Sequence, residues 1–333
     1  MALRVGINGF GRIGRLAYRA MADDPDIEVV AINDLGAIKT MAHLLKYDSV
    51  HRRAFDSVEV FEDQIIVDGK TVKVIGEREP GNIPWGDLGV DVVVESTGFF
   101  TDGTKAKSHI DAGAKKVVIS APGKNVDKTI IMGVNDADYK KESDNIVSNA
   151  SCTSNCLAVM AKVLLINFGI KRGFVNAVHA FTNDQRILDL PHKDLRRARS
   201  ASQSLIPTTT SATRSVSMVL PQLIGKLDGF ATRVPTPDGS MVDFTVELGR
   251  DVTASEINKV MKAAADGPMK NVLEYTEDPV VSIDVIENPH SAVFDSGLTM
   301  VHGGRSNFAK CIAWYDNEWA YSNRIRDLVK IML

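Results

Sequence analysis

A strand-like run at residues 4–8 passes directly into Gly9-Phe10-Gly11-Arg12-Ile13-Gly14, and this hexapeptide opens a segment of helical spacing at 12–21. No other feature narrows the fold as much. The first glycine makes a tight turn, the second lets the backbone approach a pyrophosphate, and the third lets helix pack closely on strand. Asp34 follows the next strand-like run, 28–33, twenty residues beyond Gly14, where a carboxylate can hydrogen-bond ribose hydroxyls. A structural turn and a solvated strand-end acid are the plainer readings of these residues taken singly. Together, in this order and spacing, they read as a dinucleotide site. A fixed negative charge beside the ribose 2′ position repels a 2′-phosphate, so the sequence favours NAD over NADP.

Further short apolar runs at 90–96, 116–120 and 146–148 alternate with helical segments at 38–46 and 104–112. Alternating strands and helices of this kind form a parallel sheet covered on both faces, an α/β doubly wound (Rossmann) domain. The stretch 58–75 differs. Its alternation, with Asp68-Gly69 at a turn, predicts an antiparallel hairpin. Past Ser151 a long helix (153–168) leads into a strand at 174–181 and then a loop at 182–210 carrying Pro191 and Pro207. Loops of this length in compact domains are usually functional or disordered. Strands at 232–235, 242–247 and 310–315, with helices at 213–220 and 254–265, predict an α/β domain with a mixed, largely antiparallel sheet. The expected boundaries are 1–150 for a nucleotide-binding domain, completed by a C-terminal helix at 318–333, and 151–317 for a catalytic domain.

A chain of 333 residues suits two such domains. A net charge of −3 gives no general field for nucleic acid, and no apolar run is long enough to span a membrane. One dense basic cluster, His192, Lys193, Arg196, Arg197 and Arg199, leaves a nucleic-acid patch as a local alternative. Three cysteines are too few for a disulfide framework, so a reducing cytoplasm is expected.

Cys152 begins the long helix, flanked by Ser151 and Thr153. A thiol there feels the positive end of the helix dipole, which lowers its pKa, and the nearby hydroxyls and amides can hold an anion. Cys156 lies one turn further and is expected to be buried. No ligand set for a metal accompanies the two cysteines. Alone, Cys152 also reads as a small buried hydrophobe. His179, ending the strand after the helix, is the candidate base for a cysteine nucleophile, although spacing does not establish the pairing.

The segments GINGFGRIGR, APGKN, SNASCTSNC, VHAFTNDQ, PHKDLRRAR, IPTTT, RVPTPDGSMVD and AWYDNEWAYSNR occur in order along essentially the whole chain. In these the sequence resembles the phosphorylating glyceraldehyde-3-phosphate dehydrogenases. The resemblance implies NAD as cofactor, a small-molecule aldehyde phosphate and inorganic phosphate as substrates, and a homotetramer in which the long loop lies beside a neighbour's cofactor. It assigns Cys152 as nucleophile and His179 as base. Thr182 and Arg233, with Asp184 beside them, correspond to the site for the substrate phosphate. Ser151, Thr153, Arg197, Thr210 and Ser211 correspond to the site for the attacking phosphate. Gly9, Gly11, Arg12, Ile13, Gly14, Asp34, Arg78, Thr97, Ser120 and Asn317 correspond to cofactor contacts. The chain departs from the family pattern at Ser211, where glycine is usual, and at Arg52, Asn176, Ala177, Phe181 and Ala320. Ser211 adds a hydroxyl but gives up the freedom of glycine at positive φ. The hydrolytic relative, erythrose-4-phosphate dehydrogenase, is the alternative these changes raise; Thr182 and Thr210 favour the phosphorylating enzyme. An adhesive protein with vestigial catalysis is a third reading, opposed by intact Cys152, His179, Thr182 and Arg233.

Overall fold

Valine and isoleucine runs with both faces apolar build the centre of the first sheet: Val92–Val94 and Val117–Ile119 are wholly inaccessible to solvent. In the computed structural model, which describes residues 2–332, the chain divides into two units. The first comprises the chain through Ile130, Asp136–Ala150 and the segment from Ser322 onward. Its elements are β1 (Leu3–Asn8), α1 (Arg12–Ala22), β2 (Ile27–Asn33), α2 (Ile38–Lys46), a short ribbon β3 (Tyr47–Asp48) and β4 (Arg52–Arg53), β5 (Val58–Phe61), β6 (Gln64–Val67) and β7 (Lys70–Ile75). There follow β8 (Val92–Glu95), α3 (Gly103–Asp111), β9 (Lys116–Ile119), β10 (Lys128–Thr129) and β11 (Ile146–Ser148).

Nine strands lie in the order β10-β11-β9-β8-β1-β2-β7-β6-β5, all parallel from β10 through β7. Asn8 pairs with Asn33 on one side and Glu95 on the other, so β1, β2 and β8 end together where the glycine turn begins. Crevices beyond the carboxyl ends of such strands are where open α/β sheets bind ligands.

The insert at 58–75 is a three-stranded antiparallel meander, not the single hairpin expected. Its second turn carries Asp68 and Gly69 at φ 45° and 82°, the left-handed pair an Asp-Gly turn supplies. The first turn holds Glu62 at φ 52° without a glycine, which is why the pattern hid it. Arg52, where the family often has glycine, is likewise left-handed at φ 59°.

The second unit holds Ile131–Asn135 and Ser151–Tyr321. It contains α4 (Cys152–Phe168), β12 (Ile170–Ala180), β13 (Ile206–Thr208), α5 (Ala212–Val219), β14 (Leu227–Val234), β15 (Ser240–Val252) and α6 (Ala254–Asp266). Then come β16 (Leu273–Thr276), β17 (Ala292–Asp295), β18 (Met300–Val301) and β19 (Ser306–Tyr315), and α7 (Trp319–Ile331) starts here and continues into the first unit. The sheet order is β13-β14-β12-β15-β19-β17-β16, with β18 on β19, and only β12–β14 and β16–β17 run parallel. The loop at 182–210 is therefore not strandless. Ile206–Thr208 pairs antiparallel with β14 as an edge strand, where Pro207 is tolerated; proline in so short a run masked it.

Helix α4 is apolar nearly all round, with Leu157, Val159, Met160 and Leu164 inaccessible. Each such side chain contributes about 1.5–3 kcal/mol by burial, so the start of α4 is held by its whole length. Gly169, at φ 71°, ends it.

Candidate active site

Ser151 caps α4, its hydroxyl accepting from Ser154 N at 3.1 Å, and Cys152 is the first helical residue. The sulfur stands 3.4 Å from His179 Nε2. β12 delivers His179, and register places Arg233 of β14 directly beside it. His179 Nδ1 lies 2.7 Å from Ala180 O, which can only accept, and 2.9 Å from Arg233 Nη1, which can only donate. The shorter contact assigns the ring proton to Nδ1, with Arg233 donating to the carbonyl, and turns the Nε2 lone pair to the thiol. Arg233 Nη1 donates to the same carbonyl at 3.1 Å and reaches Thr182 Oγ1 at 3.5 Å. Thr153 Oγ1 meets Tyr315 OH at 2.8 Å, and the Tyr315 ring packs edge-on against His179.

Burial dominates the ionisation of the pair. It pushes the Cys152 thiol up to about 11 against the opposing pull of Arg233 and Thr153, and with the Arg233 charge it lowers His179 to about 3. Burial thus favours the uncharged forms of thiol and imidazole. Desolvation opposes the thiolate that the helix start and the Arg233 charge favour. Cys156 is fully buried, as expected, near Ala313 O.

Asp184 pairs with Arg197 at 2.5 Å and faces His192 at 3.4 Å. Burial opposes its charge, yet these partners hold its carboxyl below the ordinary range. Arg197 also donates through Nε to Thr208 Oγ1 at 2.9 Å, and Thr208 in turn donates to Asp194 at 2.6 Å. Thr210 and Ser211 stand at the start of α5, where Thr210 Oγ1 accepts from Ala212 N. Ser211 has φ −94°, so this backbone does not need glycine and the departure from the family pattern carries no strain. Asn317 is buried, its Oδ1 accepting from Ser240 Oγ at 2.6 Å, while Ser240 also accepts from Ala180 N. Ser240 and Tyr315, both unremarkable in sequence, are brought here by sheet register alone.

In the first unit Gly9 has φ 91°, and a Cβ on Gly14 would meet Gly9 O at 2.1 Å, so both glycines are required by the turn itself. A Cβ on Gly11 would meet nothing within 4 Å. The open cradle above it fits an approaching pyrophosphate, and Gly11, as the N-cap of α1, offers no side-chain cap where Arg12 and Ile13 begin the helix. Arg12 directs its fork at Asp48, 3.1 Å through each nitrogen. Burial works against the Asp48 charge, but the His51 and Val50 amides and Arg12 bring it down to about 2. Asp34 accepts from Phe10 N at 2.7 Å and Gly36 N at 2.8 Å, bracing the glycine turn. Arg78 is exposed on the loop after β7; Thr97 N donates to Glu95, and Ser120 N to Glu95 O. These residues fit a dinucleotide. Replacing Asp34 with alanine should raise kcat/KM with NADP relative to NAD by at least about tenfold, the scale of a lost charged hydrogen bond; an unchanged ratio in steady-state assays would show that Asp34 does not discriminate.

An open parallel sheet with a glycine-rich turn at its strand ends, and a thiol–imidazole–guanidinium cluster in a second unit, define a dinucleotide-dependent oxidoreductase. Residues 3–103 match the model of the glyceraldehyde 3-phosphate dehydrogenase NAD binding domain, and residues 151–317 match the C-terminal domain of the same enzyme. The chain is 58% identical over 330 residues to glyceraldehyde-3-phosphate dehydrogenase of Streptomyces coelicolor, covering 98% of each. It is 56% identical over 328 residues to that of Geobacillus stearothermophilus, covering 98% of this chain and 97% of the relative. Glyceraldehyde-3-phosphate dehydrogenase 1 of Bacillus subtilis is 54% identical over 328 residues. The chain belongs to the glyceraldehyde-3-phosphate dehydrogenase family. Among the described residues, no helix is long and apolar enough to cross a membrane.

Proposed function

We propose that this protein is an NAD-dependent dehydrogenase that oxidises D-glyceraldehyde 3-phosphate and phosphorylates the product to 1,3-bisphosphoglycerate in glycolysis. The observation that carries the reading is the 3.4 Å approach of Cys152 Sγ to His179 Nε2, with Arg233 Nη1 reaching from Ala180 O, beside the imidazole, to Thr182. Arg233 and Thr182 bind the substrate phosphate and set the aldehyde carbon before the sulfur. As sulfur attacks, its proton passes to Nε2, and returning to the new oxygen it completes a hemithioacetal. Bound NAD supplies the hydride acceptor for the C–H of that adduct. His179 takes the hydroxyl proton as the carbonyl forms, leaving a thioester on Cys152.

Inorganic phosphate then adds to the thioester carbonyl, the thiolate leaves, and imidazolium returns its proton. Ser151, Thr153, Arg197, Thr210 and Ser211 are assigned to that incoming phosphate, Arg for charge and the hydroxyls as neutral donors. In the nucleotide-binding domain, residues 1–150 with the C-terminal helix, the assigned contacts are Gly9, Gly11, Arg12, Ile13, Gly14, Asp34, Arg78, Thr97 and Ser120. Asn317, its orientation set by Ser240, is assigned to the nicotinamide amide. The long loop leaves Ile187, Leu188, Leu190, Leu195 and Leu205 each more than half exposed in the single chain. That apolar display supports a homotetramer in which the loop is covered by a neighbour. Three free cysteines suit a reducing cytoplasm.

Turnover with glyceraldehyde 3-phosphate and NAD should stop after a single burst of NADH per site unless phosphate or arsenate is added. Sustained turnover without either would move the assignment to the hydrolytic erythrose-4-phosphate type.

A further inference from the structure

A buried polar chain crosses the ends of three neighbouring parallel strands. Asn33, Asn8 and Glu95 close β2, β1 and β8, lie in register, and are each under 5% exposed. Asn33 Oδ1 accepts from Glu77 N at 2.8 Å, and its Nδ2 donates to Glu77 O and to Asn8 Oδ1. Asn8 Nδ2 donates to Glu95 Oε2 at 2.5 Å, and His109 Nε2 meets the same oxygen at 3.0 Å. Thr97 gives both its amide and its hydroxyl to Glu95 Oε1. Trp85 Nε1 donates to His109 Nδ1 at 3.0 Å, which puts the imidazole proton on Nε2.

The chain has one direction. A backbone N–H only donates and a carbonyl only accepts, so Glu77 fixes the Asn33 amide, Asn33 fixes Asn8, and Trp85 fixes His109. Asn8, His109 and the amide and hydroxyl of Thr97 all donate to one buried carboxylate, and no flip or tautomer change relieves the loss of its charge.

We propose that Glu95 is a positioning residue for nucleotide binding, with His109 and Trp85 as its support. The inference rests on the NAD reading above, because each end of the chain adjoins a segment assigned to the nucleotide. Asn8 precedes Gly9, Glu77 precedes Arg78, and Thr97 is itself assigned; Ser96 Oγ adds a bond to Gly9 O at 2.7 Å. An apolar trio could cover these strand ends, as buried ionic groups are often replaceable without loss of stability. It could not hold three separate loops at fixed distances from one another.

The test is NAD binding to the full-length enzyme by calorimetry, wild type first; a wild type that does not bind NAD would remove the underlying reading. In Glu95→Gln, either amide orientation sets N–H against N–H, at Asn8 and His109 or at Thr97. Its Kd for NAD should rise at least about tenfold, a loss of the size expected when buried donors go unpaired. KM for NAD should rise with it, kcat should stay within about twofold, and iodoacetamide should alkylate Cys152 at the wild-type rate. Trp85→Phe keeps the apolar bulk and frees His109, and its Kd should rise about threefold, as for one neutral hydrogen bond. A folded Glu95→Gln protein with unchanged Kd, whatever its melting temperature, overturns the proposal. Should Glu95→Gln not fold, an unchanged Kd in Trp85→Phe does the same.

Discussion

Replacing Cys152 with alanine should abolish NAD reduction with glyceraldehyde 3-phosphate, by at least about 10⁴-fold in kcat, the scale on which removal of a covalent nucleophile acts. The sulfur is the only atom of the cluster that can carry the acyl group between oxidation and phosphate attack. Cys156, one turn on, is fully buried, and burial raises its thiol well above the ordinary range, so it cannot substitute. The variant should keep its fold, since α4 is anchored by Leu157, Val159, Met160 and Leu164 and Ser151 still caps it. NAD binding should persist, because Cys152 is not among the residues assigned to hold the nucleotide. Retained turnover in a single-turnover assay would remove Cys152 from the chemistry.

His179→Asn should lower kcat about 10²- to 10⁴-fold, some 3–5 kcal/mol of barrier, as loss of a positioned general base does. Residual activity should climb with pH, since hydroxide must then take the proton. The resting charge state has its own readout. Burial pushes the thiol up to about 11 and, with Arg233, the imidazole down to about 3, which favours an uncharged pair in the free wild-type enzyme. Only the thiolate alkylates, and its fraction grows tenfold per pH unit below the pKa. Iodoacetamide should therefore react with Cys152 at a rate that rises steadily between about pH 6 and pH 10. A plateau at neutral pH would mean a resting thiolate–imidazolium pair instead.

What could be read from sequence was what sits close in sequence. The glycine turn, Asp34 at the end of β2 and Cys152 at the first position of α4 each depend on a few adjacent residues, and the structure places them as the spacing predicts. The alternation of strands and helices gave the parallel sheet, because burial on both faces writes itself into continuous apolar runs. Positive φ without glycine, as at Glu62, leaves no such mark, and the meander was reduced to one hairpin. Pro207 hid β13 in the same way.

Approach across strands was least legible. The nearness of His179 to Cys152 was open from spacing and came only with the resemblance. Arg233, Tyr315 and Ser240 reach their partners through the registers of β12, β14, β15 and β19. Asp34 and Arg12 show the same limit, since their engagements with Phe10 N and Asp48 are tertiary. The ionisation of Cys152 has the same limit: a helix dipole is local and visible in sequence, whereas the desolvation that opposes it belongs to the packed unit.

Oxidation should leave the acyl group on one sulfur, that of Cys152. Enzyme mixed with NAD and glyceraldehyde 3-phosphate in phosphate-free buffer, quenched in acid and analysed by intact and peptide mass spectrometry, reads that directly. A 3-phosphoglyceroyl adduct should appear on the peptide bearing Cys152, formed in step with the NADH burst and discharged on adding phosphate. NADH formation with Cys152 unmodified, or with the acyl group on Cys156 or Cys311, would contradict that expectation.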